Sequence, residues 1–198
     1  ILKKILNLAP DLGIYRNKLG NAFMEKEQFG YAYNQFKKAH NIDSENLVYI
    51  LNMGHAETER GNYVEAEKHF IQAWDLDRED HSAPRALASL YFEKLNRKRK
   101  AHNILDEAIE ADAKVDFQDF FCIYDKVHFY ALDKNQAGLK RELERIKDVS
   151  SKKEEKEFAS FMLYRTGGQL FDLKIFDLSV EFLKTAHLLS PNDTDLEN

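Results

Sequence analysis

The chain has 198 residues, enough for one domain of ordinary size or one continuous stack of repeats. Hydrophobic residues make up 43% and charged residues 32%, with only three Pro, a balance that speaks for exposed helices around a packed interior and against disorder. Set against 34 Asp and Glu, the 29 Lys and Arg leave a net charge of −5, so the basic surplus of a nucleic-acid binder is missing and no nucleic-acid partner is expected.

A first unit, 13–46, carries Leu19-Gly20, Phe23, Phe29, Ala32, Phe36 and Ala39 at spacings of three and four, which predicts helices with a break around Glu27-Gln28. The second unit, 47–80, repeats this 34 positions later with Met53-Gly54, Tyr63, Ala66, Phe70 and Ala73. Gly61 in Gly61-Asn62-Tyr63 reads as the left-handed turn between two antiparallel helices. Gly20, Gly54, Ala32 and Ala66 are expected where two helices approach to about 8–10 Å. Phe23, Phe29, Tyr63, Phe36 and Phe70 are expected to fill the space between neighbouring units. A fixed period of this size means a helical array.

The order Leu-Gly-x-x-Phe, Gly-x-Tyr-x-x-Ala, x-x-x-Phe-x-x-Ala resembles the tetratricopeptide repeat. That resemblance extends to three later units. The unit 81–115 keeps Leu87-Ala88, Tyr91, Ala101, Leu105 and Ala108, with one extra residue in the turn Asn96–Lys100. The unit 120–153 keeps Tyr130, Leu139, Leu143 and Ile146 but loses the small residues, and Leu139 in place of Ala predicts looser or shifted packing. The unit 160–193 recovers Gly167, Leu170, Phe176, Leu183, Ala186 and Pro191, with Ser179 where Ala is usual. Leu2, Ile5, Leu8 and Pro10 match the second half of a further unit, either because 1–198 is cut from a longer protein or because 1–10 acts as a cap. Insertions at Asp112–Asp119 and Asp148–Phe158 add about four and about six residues, the second extending a helix start. With no Gly/Ser/Pro-rich boundary, the expectation is a single array over 1–198. The resemblance implies an all-α fold, an α-solenoid forming a right-handed superhelix of about eleven helices.

Reactive chemistry finds little support. His55 and Glu59 lie four apart on one predicted helix, but no second His joins them and a structural metal site wants about four ligands. Cys122 and His128 are six apart and project in different directions, so Cys122 reads as a buried apolar side chain. Gly167-Gly168 follows no strand and reads as close helix packing. The basic run Arg97-Lys98-Arg99-Lys100 reads as solvated charge on a turn. The expectation is no catalytic residue, no cofactor and no metal. A single Cys allows no internal disulfide and fits a reducing compartment. No apolar run approaches the roughly 20 residues of a membrane span. No signal-peptide pattern opens the chain, and a cytoplasmic location is expected.

The family's groove positions, carried over, fall on Asn17, Asn21, Asn52, His55 and Arg85, then on Tyr124, His128, Phe161, Tyr164 and Arg165. The resemblance implies that this concave surface holds a peptide or helical segment of a protein partner. Tyr124, Phe161 and Tyr164, at helical spacing, read either as aromatic anchors for that segment or as core side chains. Some family members hold a C-terminal carboxylate with Lys, Asn and Arg; Asn21 and Asn52 fit that set, while Asn17, Ser82 and Ala86 lack the cations. The implied role is a non-catalytic interaction scaffold. An alternative is a regulatory or recruiting segment of a larger enzyme. Self-association is a further expectation, through uncovered ends around Leu2/Ile5 and Phe182/Leu188/Leu189.

Overall fold

The apolar spacing of three and four resolves into paired helices. In the computed structural model, which describes residues 12–111, 117–149 and 156–190, the described residues form ten α-helices and no strand. They are α1 (Gly13–Met24), α2 (Phe29–His40), α3 (Leu47–Glu59), α4 (Tyr63–Leu76), α5 (Ser82–Ser89), α6 (Lys98–Ala111), α7 (Phe117–Leu132), α8 (Gln136–Val149), α9 (Lys156–Asp172) and α10 (Phe176–Leu189). The expected half unit 1–10 and most of both insertions lie outside the described residues. Two compact units divide the chain, one ending at Ile104 and the other beginning at Leu105, within α6.

In the first unit α1 pairs with α2, α3 with α4, and α2 lies against α3. The glycines act as the spacing predicts. A Cβ on Gly54 would stand 2.5 Å from the Phe70 ring, and one on Gly20 would collide with the Phe36 ring. Phe36 and Phe70 therefore lie flat over a neighbouring backbone inside their own hairpins, and both are buried. Phe36 also joins Ala32, Met53 and Ala56 in a core shared with the next hairpin. Phe23, Phe29 and Tyr63 are only half-buried, so they edge the core rather than fill it. Ala32 and Ala66 are fully buried.

Five turns follow one pattern. Glu27, Gly61, Asn96, Lys134 and Lys174 have positive φ, and each second helix begins two residues later. In four of them the next amide reaches back five residues, as Gln28 N donates to Phe23 O and Asn62 N to Glu57 O. The exception locates the extra residue of the third unit. There Arg97 N reaches back six residues to Tyr91 O, and Leu90–Lys94 continues α5 as a π-helix. A helix absorbs an inserted residue by widening one turn. The insertion thus precedes Asn96–Lys100, and the turn itself keeps its length. The positive-φ residues fall 34, 35, 38 and 40 positions apart, which accounts for insertions of one, four and six residues.

The second unit pairs α7 with α8 and α9 with α10, with α7 against α9 and α8 against α10. Its degenerate hairpin is not loosely packed: Leu139, Leu143, Ile146 and Val127 are all buried. The fit is inverted, because here a small residue on the second helix receives a ring from the first. A Cβ on Gly138 would stand 2.5 Å from the Tyr130 ring. Beside this contact, Lys126 and Glu142 are both fully buried, 3.0 Å apart. Asp106 also pairs with Lys126 and takes Arg145 at 2.9 Å, while Arg141 Nε reaches Glu142 at 3.3 Å. In the last hairpin Ser179 replaces Ala at no cost in unmet hydrogen bonding, since its hydroxyl donates to Gly167 O at 2.7 Å.

Candidate functional site

Of the predicted surface residues, the first unit contributes an amide-rich patch. Asn17 and Asn21 are one turn apart on α1, as Asn52 and His55 are on α3. Asn52 Nδ2 donates to Asn17 Oδ1 at 2.8 Å, so the two helices are tied at this surface. Asn21 is exposed. His55 opens to solvent on one side and packs edge-on against Phe70 on the other, ring centroids 5.1 Å apart. Desolvation by that packing lowers its pKa below the ordinary imidazole value, and Glu59, one turn on, opposes the shift. Arg85 stands half-buried on α5.

The second unit gathers its predicted residues more tightly. Tyr124 and His128 lie one turn apart on α7, and Phe161, Tyr164 and Arg165 occupy one face of α9. The Arg165 guanidinium sits 5.9 Å from the Tyr124 ring centre and 5.8 Å from that of Phe161. Such distances hold a cation by the negative face of each ring. Phe161 is 46% exposed and Tyr164 36%. His128 Nδ1 is hydrogen-bonded to Gln169 Nε2, which fixes the imidazole against α9.

Phe158 belongs to this surface and escaped the groove assignment. Its ring meets Phe120 at 5.4 Å and Phe121 at 5.8 Å in edge-on contacts, and Phe161 at 6.4 Å. The available signal was its position three residues before Phe161, but it fell within the charged insertion. Phe171 and Phe176 form a separate exposed edge-to-face pair at 5.3 Å. Of the residues expected at an uncovered C-terminal end, Leu188 is 78% exposed, but Phe182 is fully buried and offers no surface.

Recesses of about 560 Å³ and about 310 Å³ lie at hairpin turns and include none of the predicted groove residues. The first is lined by Phe29, Tyr31, Tyr33 and Arg60 among others, the second by Lys174, Phe176 and Glu181 among others. Cys122 is buried, as its apolar neighbours predict. Among the described residues, no three His, Cys, Asp or Glu side chains converge as a metal site, and no helix is long and apolar enough to cross a membrane. The basic run lies partly under its own contacts: Lys100 reaches Glu67 at 3.1 Å and covers the Tyr91 ring at 4.1 Å, and Lys98 covers Phe92 at 5.4 Å.

Helix hairpins repeated on this register, with small residues receiving rings from their partners, give the chain the tetratricopeptide-repeat fold. Solved structures share it. YrrB, described as a TPR protein with an unusual peptide-binding site, is 19% identical with a TM-score of 0.52, over 98% of this chain and 94% of its own. MamA is 15% identical with a TM-score of 0.55, over 98% and 87%. The pilF protein of Pseudomonas aeruginosa is 14% identical with a TM-score of 0.58, over 99% and 84%. No protein-family model and no curated protein matches the chain.

Proposed function

We propose that this chain is a non-catalytic scaffold that binds peptide or helical segments of a partner protein on the first-helix faces of its repeats. The aromatic face of α7 and α9 is the principal anchor. The observation that carries this reading is the exposure of Phe161 and Tyr164 beside a half-buried Tyr124, on a unit with a closed core of its own. Aromatic side chains give large contact area at low entropic cost, and single anchors contribute about 2 kcal/mol or more to an interface. The amide patch Asn17, Asn21 and Asn52 with His55 and Arg85 adds hydrogen-bonding groups suited to a peptide backbone. The peptide-binding site attributed to YrrB supports the same use of the fold. We read the five repeats, 13–193, as one array on the strength of their continuous register.

The test is affinity capture with the intact chain, followed by quantitative mass spectrometry. The double variant Phe161→Ala/Tyr164→Ala, with an unchanged circular-dichroism spectrum, is expected to lose most specifically captured protein. Equal capture by the folded variant ends this reading of the face.

A further inference from the structure

Along α9, Phe161, Tyr164, Arg165 and Gly168 follow the spacing i, i+3, i+4, i+7 and so share one face, and all four are exposed. Two features of this strip have no explanation in the fold itself. The first is Arg165. Its guanidinium is held over two rings, yet among the described residues no carboxylate pairs with it. Two other cations of this unit differ, since the buried Lys126 and the half-buried Arg145 are each matched to Glu142 and Asp106.

The second is Gly168. Glycine inside a helix is destabilising unless a close approach requires it. Its neighbour Gly167 has that reason: a Cβ there would stand 2.7 Å from the Leu183 side chain and 3.3 Å from Ser179 O. At Gly168 a Cβ would meet nothing within 4 Å. The pair therefore does not serve helix packing as a whole, and Gly168 leaves bare backbone one turn beyond Arg165.

Resting on the reading of this face as a partner site, we propose that the strip Phe161–Tyr164–Arg165–Gly168 docks a peptide segment carrying an Asp or Glu beside a large apolar side chain. Arg165 takes the carboxylate in a bidentate pair, a geometry that its planar fork favours. The two rings fix the guanidinium in place, which lowers the ordering cost of that pair. Phe161 and Tyr164 flank the apolar side chain, and the partner backbone crosses α9 at Gly168. A single cation on a chain of net charge −5 suits one carboxylate rather than an extended polyanion.

The probe is a phage-displayed library of random 12-residue peptides selected on the immobilised intact chain. Enriched peptides are expected to place Asp or Glu within two residues of Leu, Ile, Phe or Trp. A synthetic peptide from that set should bind Arg165→Gln about tenfold more weakly, with the salt dependence of its affinity reduced. Replacing its acid by the amide should cost the native chain the same factor and the variant nothing. Gly168→Phe should weaken binding similarly, while Gly168→Ala leaves the fold intact with a melting temperature at or above that of the native chain. Enrichment of apolar peptides without acids, or affinity indifferent to Arg165→Gln, overturns this proposal and leaves the aromatic anchor standing. If no peptide is enriched and Phe161→Ala/Tyr164→Ala changes nothing in the capture experiment, both readings fall.

Discussion

Glu27, Lys134 and Lys174 hold the left-handed conformation that Gly61 adopts at the equivalent turn. An L side chain there brings its Cβ against the carbonyl, a cost of about 1–2 kcal/mol, whereas glycine carries only its larger unfolded-state entropy. Lys174→Gly and Glu27→Gly are therefore expected to stabilise the protein by roughly 0.5–1 kcal/mol each in urea unfolding, and Gly61→Ala to destabilise it by about 1 kcal/mol. Unchanged or lower midpoints in both glycine variants would show that the side chains contribute contacts that offset the strain. The apolar spacing also places breaks at Glu27-Gln28 and Asn96–Lys100, but only Gly61 reads as left-handed from its residue type. A lysine or glutamate in the same conformation leaves no local signature, because the helices on either side impose it. The two glycines at 167 and 168 show the same limit, since adjacent identical letters conceal one packed backbone and one open one.

At the scale of the hairpin, a small residue on one helix receives a large one from the other. The 34-residue recurrence places Gly20 and Gly54 at close helix approaches but assigns Phe36 and Phe70 to the space between units, whereas each ring covers the glycine of its own hairpin. In the degenerate hairpin the exchange runs the other way, from Tyr130 onto Gly138, so counting alanines at expected positions suggested looseness where the core is closed. Ala66 is fully buried, and Ala66→Leu is expected to overpack α4 at a cost of about 1–3 kcal/mol, read as a fall in the thermal midpoint. The ion cluster was illegible for a different reason. Lys126, Glu142 and Asp106 lie on three helices, and their charges look in sequence like those of any solvated face. Lys126→Ala leaves Glu142 buried without its nearest cation and is expected to cost about 3–5 kcal/mol. The double variant Lys126→Met/Glu142→Leu removes both charges and should recover most of that loss in the same unfolding measurement.

Across the whole chain, the positions carried over from the repeat register include Tyr124, Phe161 and Arg165, which stand together around one guanidinium, because register fixes which helix face a residue occupies. It cannot specify which side chains then touch, and Phe158 and Gly168 became visible only in three dimensions. The two units also differ in how protons act on them. In the first, desolvation lowers the pKa of both His55 and His69, against the opposing pull of Glu59 on the one and of Glu57 and Glu65 on the other. The unfolded chain, with His near 6.5, then binds more protons than the folded one as pH falls through that value, so the stabilisation present above it is lost on acidification. In the second, burial alone would raise Asp106, but Lys126 and Arg145 outweigh it and hold the carboxyl below its ordinary value. Its contribution is present above the ordinary carboxylate range and disappears only as pH falls through the lowered folded value. The two windows can be separated because the single Trp of the chain, Trp74, is buried in the first unit and reports on it by fluorescence. The urea midpoint followed by Trp74 is expected to fall between about pH 7.5 and pH 5.5, and to fall less in His55→Gln/His69→Gln. A midpoint that stays level over this range in the native chain, or drops equally in the variant, would remove the two imidazoles as its cause.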